Sequence, residues 1–423
     1  MGVLLLIDER GASLFLSLGY MPDVKSDLSS LDIFVLTDRN NEYDQNPCYE
    51  SMQESARAGV NVLAETFERL AASPGGTNHI VPLSGGLDSR LILGALLNLG
   101  LKDRITAVTF GMPGTLDFDI GRYIAEYVGV KHEAIDLRSI EINQEELIET
   151  AKEMDQWTWL FDAYYNSLIY QRFGKGVTYW SGFMGGESAG GALLIEDSDS
   201  WLVAIEQFNR KTAMAQSNAL IHPQIALENL YPQKPFYRNT RLSYDEQLYL
   251  GMRQEFYIKP NLFKKGYDIK MPYIDPGWLK FILNAPGDFR RNKILYKEII
   301  KQAYPQLAKI KTKNNYGLDI YASKNRIILQ KAALGCNYLA KKYLWNINLK
   351  PTLNYLNFSD AILSRKDYRN LVKENIHDLG KRTLVDWIDA EKLLHHHLSE
   401  RKNYGMELIL LTALELNCKA KLS

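Results

Sequence analysis

The sequence predicts an α/β chain, a parallel sheet with helices on both faces, followed by a mainly helical C-terminal region. Three observations predict it. Short apolar runs alternate with helical patterns from Ile80 to Trp180, and strict alternation demands crossovers whose right-handedness lays helices over both faces of a parallel sheet. From about residue 200 onward the strand signal fades and long helical patterns run between Pro260, Pro272, Pro276, Pro286, Pro305 and Pro351. A turn cluster, Ser73-Pro74-Gly75-Gly76, separates the alternating part from what precedes it.

The elements follow in order. Val3 to Ile7 is a five-residue apolar run broken by Asp8-Glu9-Arg10, too short for a signal segment or a membrane span. Leu6 stands where myristoylation after Gly2 requires Ser or Thr. The turn Asp38-Arg39-Asn40-Asn41 precedes a helical pattern through Ala58, Val62, Leu63, Phe67 and Leu70. Residues 1–73 are therefore expected to be an N-terminal segment ending in one amphipathic helix. Residues 74–200 are the expected α/β core. Ile80 to Leu83 reads as a strand with Pro82 near its end, where a lost donor is tolerated. Arg90 to Asn98 is a helix ended by Gly100, Ile105 to Phe110 a strand, and Asp119 to Val128 a helix ended by Gly129. His132 to Leu137 and Gly176 to Trp180 are two further strands. Residues 201–423 form the expected helical region, packed on the sheet and completing the site, with His395-His396-His397 on an exposed helix face.

Composition excludes several classes of function. Fifty basic and fifty acidic residues cancel among 423, so no global field draws the chain to nucleic acid or an anionic membrane. Cys48, Cys336 and Cys418 are scattered and odd in number, which argues against a disulfide framework or a zinc site and fits a cytoplasmic protein. Charge is uneven locally: Glu133 to Asp162 holds nine acidic and two basic residues, Lys259 to Lys313 thirteen basic and four acidic. These are either two solvated faces that attract each other, or a basic segment placed to hold a polyphosphate.

The strongest local signal is Leu83-Ser84-Gly85-Gly86-Leu87-Asp88-Ser89-Arg90, between a strand and a helix. Paired glycines let phosphate approach backbone N–H groups at a helix start without Cβ atoms in the way. Ser84 and Ser89 add hydroxyl donors, and Asp88 suits a magnesium ion bridging phosphate oxygens. Neither GxxxxGK[ST] nor GxGxxG occurs, which excludes a standard P-loop kinase and a dinucleotide site. The structural alternative is a turn made by Gly85-Gly86 in which Ser84 or Asp88 caps the helix.

SGGLDS after an apolar strand resembles the phosphate loop of the asparagine synthetase-like ATP pyrophosphatases, the PP-loop group with a HUP-like sheet. Thr109-Phe110-Gly111-Met112-Pro113-Gly114-Thr115-Leu116-Asp117 resembles the family's second strand, glycine turn and aspartate. Isolated, Asp117 reads as a helix cap, and His132 as a satisfied buried or rim histidine rather than a catalyst. Met271-Pro272-Tyr273-Ile274-Asp275 resembles the segment "VPFLD", with Lys270 where arginine is usual and Asp268 where glutamate is usual. Lys313-Asn314-Asn315-Tyr316-Gly317 resembles the string carrying the family's essential lysine. The resemblance covers roughly residues 77 to 320.

It implies ATP and Mg2+ as cofactors. Nucleotide binding falls on Leu83, Ser84, Gly85, Gly86, Asp88, Ser89, Thr109, Phe110, Gly111, Ser181 and Gly182, metal binding on Asp88 and Glu187, catalysis on Lys313, Asp88 and Glu187, and substrate binding on Phe183 and Asp268. Ser181-Gly182-Phe183-Met184-Gly185-Gly186-Glu187 departs from the family's SGEGADE. Phe183 replaces a glutamate, which favours a carboxylate donor larger or less polar than aspartate. Gly186 replaces a carboxylate that Glu187 is expected to make good.

Glutamine-dependent members start with Cys after Met and a glutaminase domain. Here residue 2 is Gly and about eighty residues precede the loop, so no functional glutaminase domain is expected. Ser17-Leu18-Gly19-Tyr20-Met21-Pro22 resembles the family's interdomain segment. The expected function is an ATP-dependent carbon–nitrogen ligase that adenylates a small-molecule or peptide carboxylate, releases pyrophosphate and lets ammonia or an amine form an amide. A partner protein supplying ammonia or substrate is compatible with it; nucleic acid and membrane are not indicated. Two rivals stand beside it: a non-catalytic nucleotide-binding or scaffold descendant, and a PP-loop enzyme modifying tRNA or a nucleobase.

Overall fold

The computed structural model describes residues 7–22, 32–40, 51–154, 156–214, 220–343 and 356–422. Cys48, Asn41, Pro351 and residues 2–6 of the N-terminal reading lie outside them. Five parallel strands form one sheet: β1 (His79–Pro82), β2 (Ile105–Gly111), β3 (Lys131–Asp136), β4 (Thr178–Trp180) and β5 (Asp268–Lys270), in the order β3-β2-β1-β4-β5. The first four fall where apolar runs predict them. β5 was not foreseen, because three residues are too few to show alternation; its pairing of Thr178 with Asp268 through Trp180 with Lys270 settles it. The sheet therefore draws its last strand from beyond residue 200.

Side chains alternate across the sheet with period two. Val81, Ala107 and Trp180 face a core shared with helices Met52–Ala72, Asp88–Asn98, Pro276–Asn284 and Ile294–Ala303. Ile80, Val108 and Tyr179 face the other way, onto Ile169 and Tyr170 of helix Leu160–Phe173. Helix Met52–Ala72, capped by Ser51, packs on Ile294–Ala303 and Pro276–Asn284. It is thus a layer of the sheet's own core.

A second core is all helical. Helix Glu9–Leu18, capped by Asp8 and ended by Gly19 at φ 78°, buries eight of its ten residues and packs against Gly405–Leu422. Gly405–Leu422 is buried along nearly its whole length, and among the described residues no helix is long and apolar enough to cross a membrane. The predicted exposed histidine face is corrected at one position: His397 is buried, its Nδ1 accepting the N–H of Tyr404 at 3.2 Å.

The order of the strands decides where a ligand can sit. From β1 the chain moves through β2 to β3, and then returns to β4 and β5 on the other side. A crevice opens outside the carboxyl ends of β1 and β4, where successive connections diverge.

Candidate active site

The loop leaving β1 is closed by its own serines. Leu83 N still donates to Val108 O (2.7 Å), after which Ser84 N donates to Ser89 Oγ (3.1 Å) and Gly86 N to Ser84 Oγ (3.1 Å). A Cβ on Gly85 would stand 2.7 Å from Leu116 O, so packing itself requires glycine there; one on Gly86 would meet side chains, Ser84 Oγ at 3.2 Å, Lys313 Cε at 3.6 Å and Asn314 Oδ1 at 3.9 Å. Helix Asp88–Asn98 has no side-chain cap, so the capping role open to Ser84 or Asp88 is not the one they play. Asp88 Oδ1 accepts the hydroxyl of Tyr296 (2.8 Å), and Asp88 O accepts that of Tyr273 (2.8 Å). Both phenols are pushed far above their usual pKa by burial, so they act as neutral donors that orient Asp88.

The Lys313 turn is tied to this loop at three points. Lys313 N and Thr312 Oγ1 both donate to Gly85 O at 2.9 Å. Lys313 Nζ pairs with Asp117 Oδ2 (2.7 Å), and Asp117 Oδ1 accepts Gly85 N (2.8 Å). Asp117 therefore bridges lysine and loop, while Thr115 caps the helix (Phe118 N to Thr115 Oγ1, 3.4 Å). Arg90, fully buried, fastens the same turn from behind: Nη1 reaches Leu307 O (3.0 Å) and Ile310 O (2.8 Å), and Nη2 reaches Lys311 O (2.6 Å).

At the end of β2, Thr109 is buried and donates its hydroxyl to Leu83 O (3.0 Å), with His132 Nε2 3.1 Å from Thr109 Oγ1. His132 is thus satisfied, and burial lowers its pKa. Phe110 reaches the crevice; Leu83 and Gly111 contribute backbone at the strand ends.

Beyond β4, Ser181 N donates to Lys270 O (2.9 Å) and Phe183 N to Ser181 Oγ (3.2 Å). Met184 has φ 68°, and a Cβ on Gly185 would stand 2.8 Å from Asp88 Oδ1, so this turn presses its backbone onto Asp88. Phe183 is 5% exposed and belongs to the core under the crevice, touching the crevice with part of its surface.

A side chain at Gly186 would collide with Lys293 Nζ and meet Asp88 Oδ1 at 3.4 Å. An ammonium therefore stands where the resemblance places a second carboxylate. Glu187 shares the crevice with Asp88, but its carboxylate lies over Gly191 with Lys293 Cε against the same spot. Lys211 has its pKa lowered by desolvation, an effect that nearby Glu187 opposes in part.

No group of three or more His, Cys, Asp or Glu converges among the described residues, which rules out an all-protein metal cage there. Asp88, held by Tyr296 at the crevice, fits the different demand of a magnesium ion carried largely by phosphate oxygens, which takes one or two protein carboxylates.

These parts border one crevice of ≈ 660 Å³, whose lining includes Ser84, Asp88, Ser89, Glu187 and Lys313 together with Tyr249, Arg253 and Gln254. Asp268 is not brought to it. Asp268 pairs with Lys270 (2.9 Å) and accepts the Thr178 hydroxyl (2.6 Å) at the amino end of β4, opposite the strand ends that carry the loops. The basic segment divides between the two alternatives: Lys293 and Lys313 reach the site, whereas Lys264 pairs with Glu153 of the acidic segment (3.1 Å). Sequence reasoning missed Tyr296, Lys293, Tyr249 and Arg253. A local signal existed for none but Lys293, in the basic segment, and its approach depends on Asn292 and Lys293 both adopting positive φ (54° and 57°). With Met184 and Tyr316, four of the six non-glycine residues at positive φ among the described residues gather around this crevice, as strained backbone does at functional sites.

A search of the curated proteins returned no match. A comparison with protein families found a match at residues 79–247 to asparagine synthase, a family generally of ATP-dependent ligases. The matched stretch begins at β1, contains the Ser84–Ser89 loop and the turn after β4, and stops before β5 and Lys313. The parallel sheet, the loop at its switch point and this match are together consistent with an asparagine synthetase-like synthetase domain over residues 79–247.

Proposed function

We propose that this protein is an ATP-dependent ligase that activates a carboxylate as its adenylate and transfers the acyl group to ammonia or an amine. The observation that supports it most is the coupling of Lys313 to the Ser84–Ser89 loop through Gly85 and Asp117. A carboxylate oxygen attacks the α-phosphorus of ATP, the bond to the bridging oxygen breaks, and pyrophosphate leaves. The nitrogen then attacks the acyl carbon, loses a proton, and AMP departs. The loop N–H groups and the Ser84 and Ser89 hydroxyls hold phosphate oxygens. Lys313, released from Asp117, neutralises charge growing at the α-phosphate, and Lys293 stands beside Asp88 to do the same for the leaving group. Asp88 would hold a magnesium ion, which when bound would supply further charge neutralisation.

The test uses purified full-length protein with α-labelled ATP, magnesium and a deproteinised small-molecule cell extract. AMP and pyrophosphate are the expected products, and Lys313→Ala slows their formation roughly 100- to 1,000-fold. Formation of ADP would refute adenylation. The rival reading, a non-catalytic nucleotide binder, is favoured by the ammonium of Lys293 at Gly186; it predicts ATP binding with no product.

A further inference from the structure

Between Asp319 and Asp360 the chain holds no acidic residue and six basic ones, Lys324, Arg326, Lys331, Lys341, Lys342 and Lys350. The helix Lys324–Tyr343 carries the first five of them. Over residues 324–336 only Ile327, Gln330 and Leu334 are half-buried, and every other residue is exposed. Spacings of three and four along the chain put those three on one face, and Gln330 Nε2 fastens that face to Tyr316 O at 3.2 Å. The rest of this stretch faces solvent.

That outward surface is not polar throughout, as an ordinary solvated helix face would be. Ile328 is 55% exposed and Leu329 68%. At 3.6 residues per turn they share an arc of about 140° with Ala332, Ala333 and Cys336, in which Asn325 is the one polar side chain. Lys324 and Lys331 border the arc on one side and Arg326 on the other. Tyr321, just before the helix, is 49% exposed, with Lys301 Nζ 5.1 Å from its ring centre. The nearby acids are already engaged: Asp319 Oδ1 accepts the N–H of Tyr321 (2.9 Å), and Glu298 pairs with Lys301 (2.6 Å).

We propose that the helix beginning at Lys324 docks the protein on the surface of an anionic lipid bilayer. Aliphatic side chains bordered by cations on a convex helix suit a surface that offers hydrocarbon beneath headgroup charge, and a helix of this kind lies on a bilayer rather than crossing it. Nucleic acid would reward the cations but leave Ile328 and Leu329 in water. An acidic protein is best met by the planar fork of arginine, whereas four of the five cations here are lysines, compact point charges that demand no fixed acceptor geometry. The zero net charge of the whole chain does not oppose docking, because charges more than about 10 Å away are largely screened at 0.1 M salt and the bilayer senses the local cluster. The helix is fastened to Tyr316, three residues beyond Lys313 of the crevice, so docking fixes the crevice relative to the lipid surface whatever reaction it performs.

The full chain is centrifuged with phosphatidylcholine vesicles, with and without phosphatidylglycerol, and the bound fraction gives a partition coefficient. Three proteins are compared: the wild type, a triple variant with Lys324→Gln, Arg326→Gln and Lys331→Gln, and a double variant with Ile328→Gln and Leu329→Gln. Every substituted side chain is exposed, so melting temperatures are expected to stay within about 2 °C of the wild type. The wild type is expected to bind the vesicles that contain phosphatidylglycerol and not those of phosphatidylcholine alone. A basic residue near such a surface contributes roughly fivefold, so the triple variant binds roughly 100-fold more weakly. The double variant loses about tenfold or more through its apolar contacts. Raising the salt to about 1 M shortens the screening length to about 3 Å and should release the wild type, a measurement that needs no variant. Absence of wild-type binding to the anionic vesicles, binding that survives high salt, or undiminished binding by either variant overturns the proposal. Retention of the wild type on immobilised polyglutamate without vesicle binding also overturns it, in favour of an acidic protein partner.

Discussion

Replacing Asp88 with asparagine separates a carboxylate that works from one that merely packs. Tyr296 is fully buried and gives its hydroxyl to Asp88 Oδ1 at 2.8 Å. Asparagine keeps an oxygen in that place and the same volume between Tyr296 and Gly185. The change in stability is then the difference between a charged and a neutral acceptor, about 1 kcal/mol. Asp88→Ala leaves the buried phenol without any acceptor, at about 1–3 kcal/mol. At about 2 °C per kcal/mol, the low end appropriate to a long chain, asparagine lowers the melting temperature by about 2 °C and alanine by up to about 6 °C. Activity orders the variants differently. Both remove the negative charge, and loss of one preorganised electrostatic group costs about 2.7–4 kcal/mol in the transition state, roughly 100- to 1,000-fold in rate. Pyrophosphate release and melting are measured on one preparation of each variant. Two near-inactive proteins that differ in stability are expected. Full turnover by Asp88→Asn would refute the metal-binding role and leave Asp88 as an anchor for Tyr296 and Tyr273.

The glycine pair gives an internal control for the phosphate loop. Gly86→Ala needs only the Ser84 side chain, at 3.2 Å, to give and should abolish protection by ATP with a small loss of melting temperature, whereas Gly85→Ala meets the backbone Leu116 O at 2.7 Å and should lose more stability; equal ATP affinity in Gly86→Ala would remove the loop assignment. Phe183→Glu forces a carboxylate into a position 5% exposed within the core, so it should fall by several degrees in melting temperature, and wild-type melting would show that the ring faces the crevice instead. Burial lowers the pKa of His79, whose Nδ1 accepts Trp180 Nε1–H at 3.1 Å, and likewise those of His132 and His397. The folded state therefore binds these protons less readily than the unfolded chain, whose histidines titrate near ~6.5; the stabilisation is complete above that pH and is lost as pH falls through the lowered folded values. Urea midpoints should drop from pH 7 to pH 5, with a shallower slope in His79→Asn, and an unchanged slope would exclude His79 as a contributor.

What the sequence by itself determined is local. Four strands announce themselves as apolar runs between turn residues, and the Ser84–Ser89 string carries its chemistry in consecutive residues, because a loop that wraps a phosphate is built from neighbouring N–H groups. Lys313 was legible for the same reason, in a short string with Tyr316 and Gly317. Tertiary structure alone decided the rest. β5 exists because β4 offers an open edge, not because Asp268-Ile269-Lys270 has a strand pattern, and in joining it Asp268 moves to the end of the sheet away from the crevice. Asp117 looks like a helix cap from its neighbours, but its role is to bridge Gly85 and Lys313, 32 and 196 residues away. Lys293 fills the gap at Gly186, and Tyr296 orients Asp88 from 208 residues downstream. Periodicity reports which face of an element is apolar, whereas the position of a charge relative to its partners depends on how elements far apart in the chain are brought together, and that is decided only when they pack.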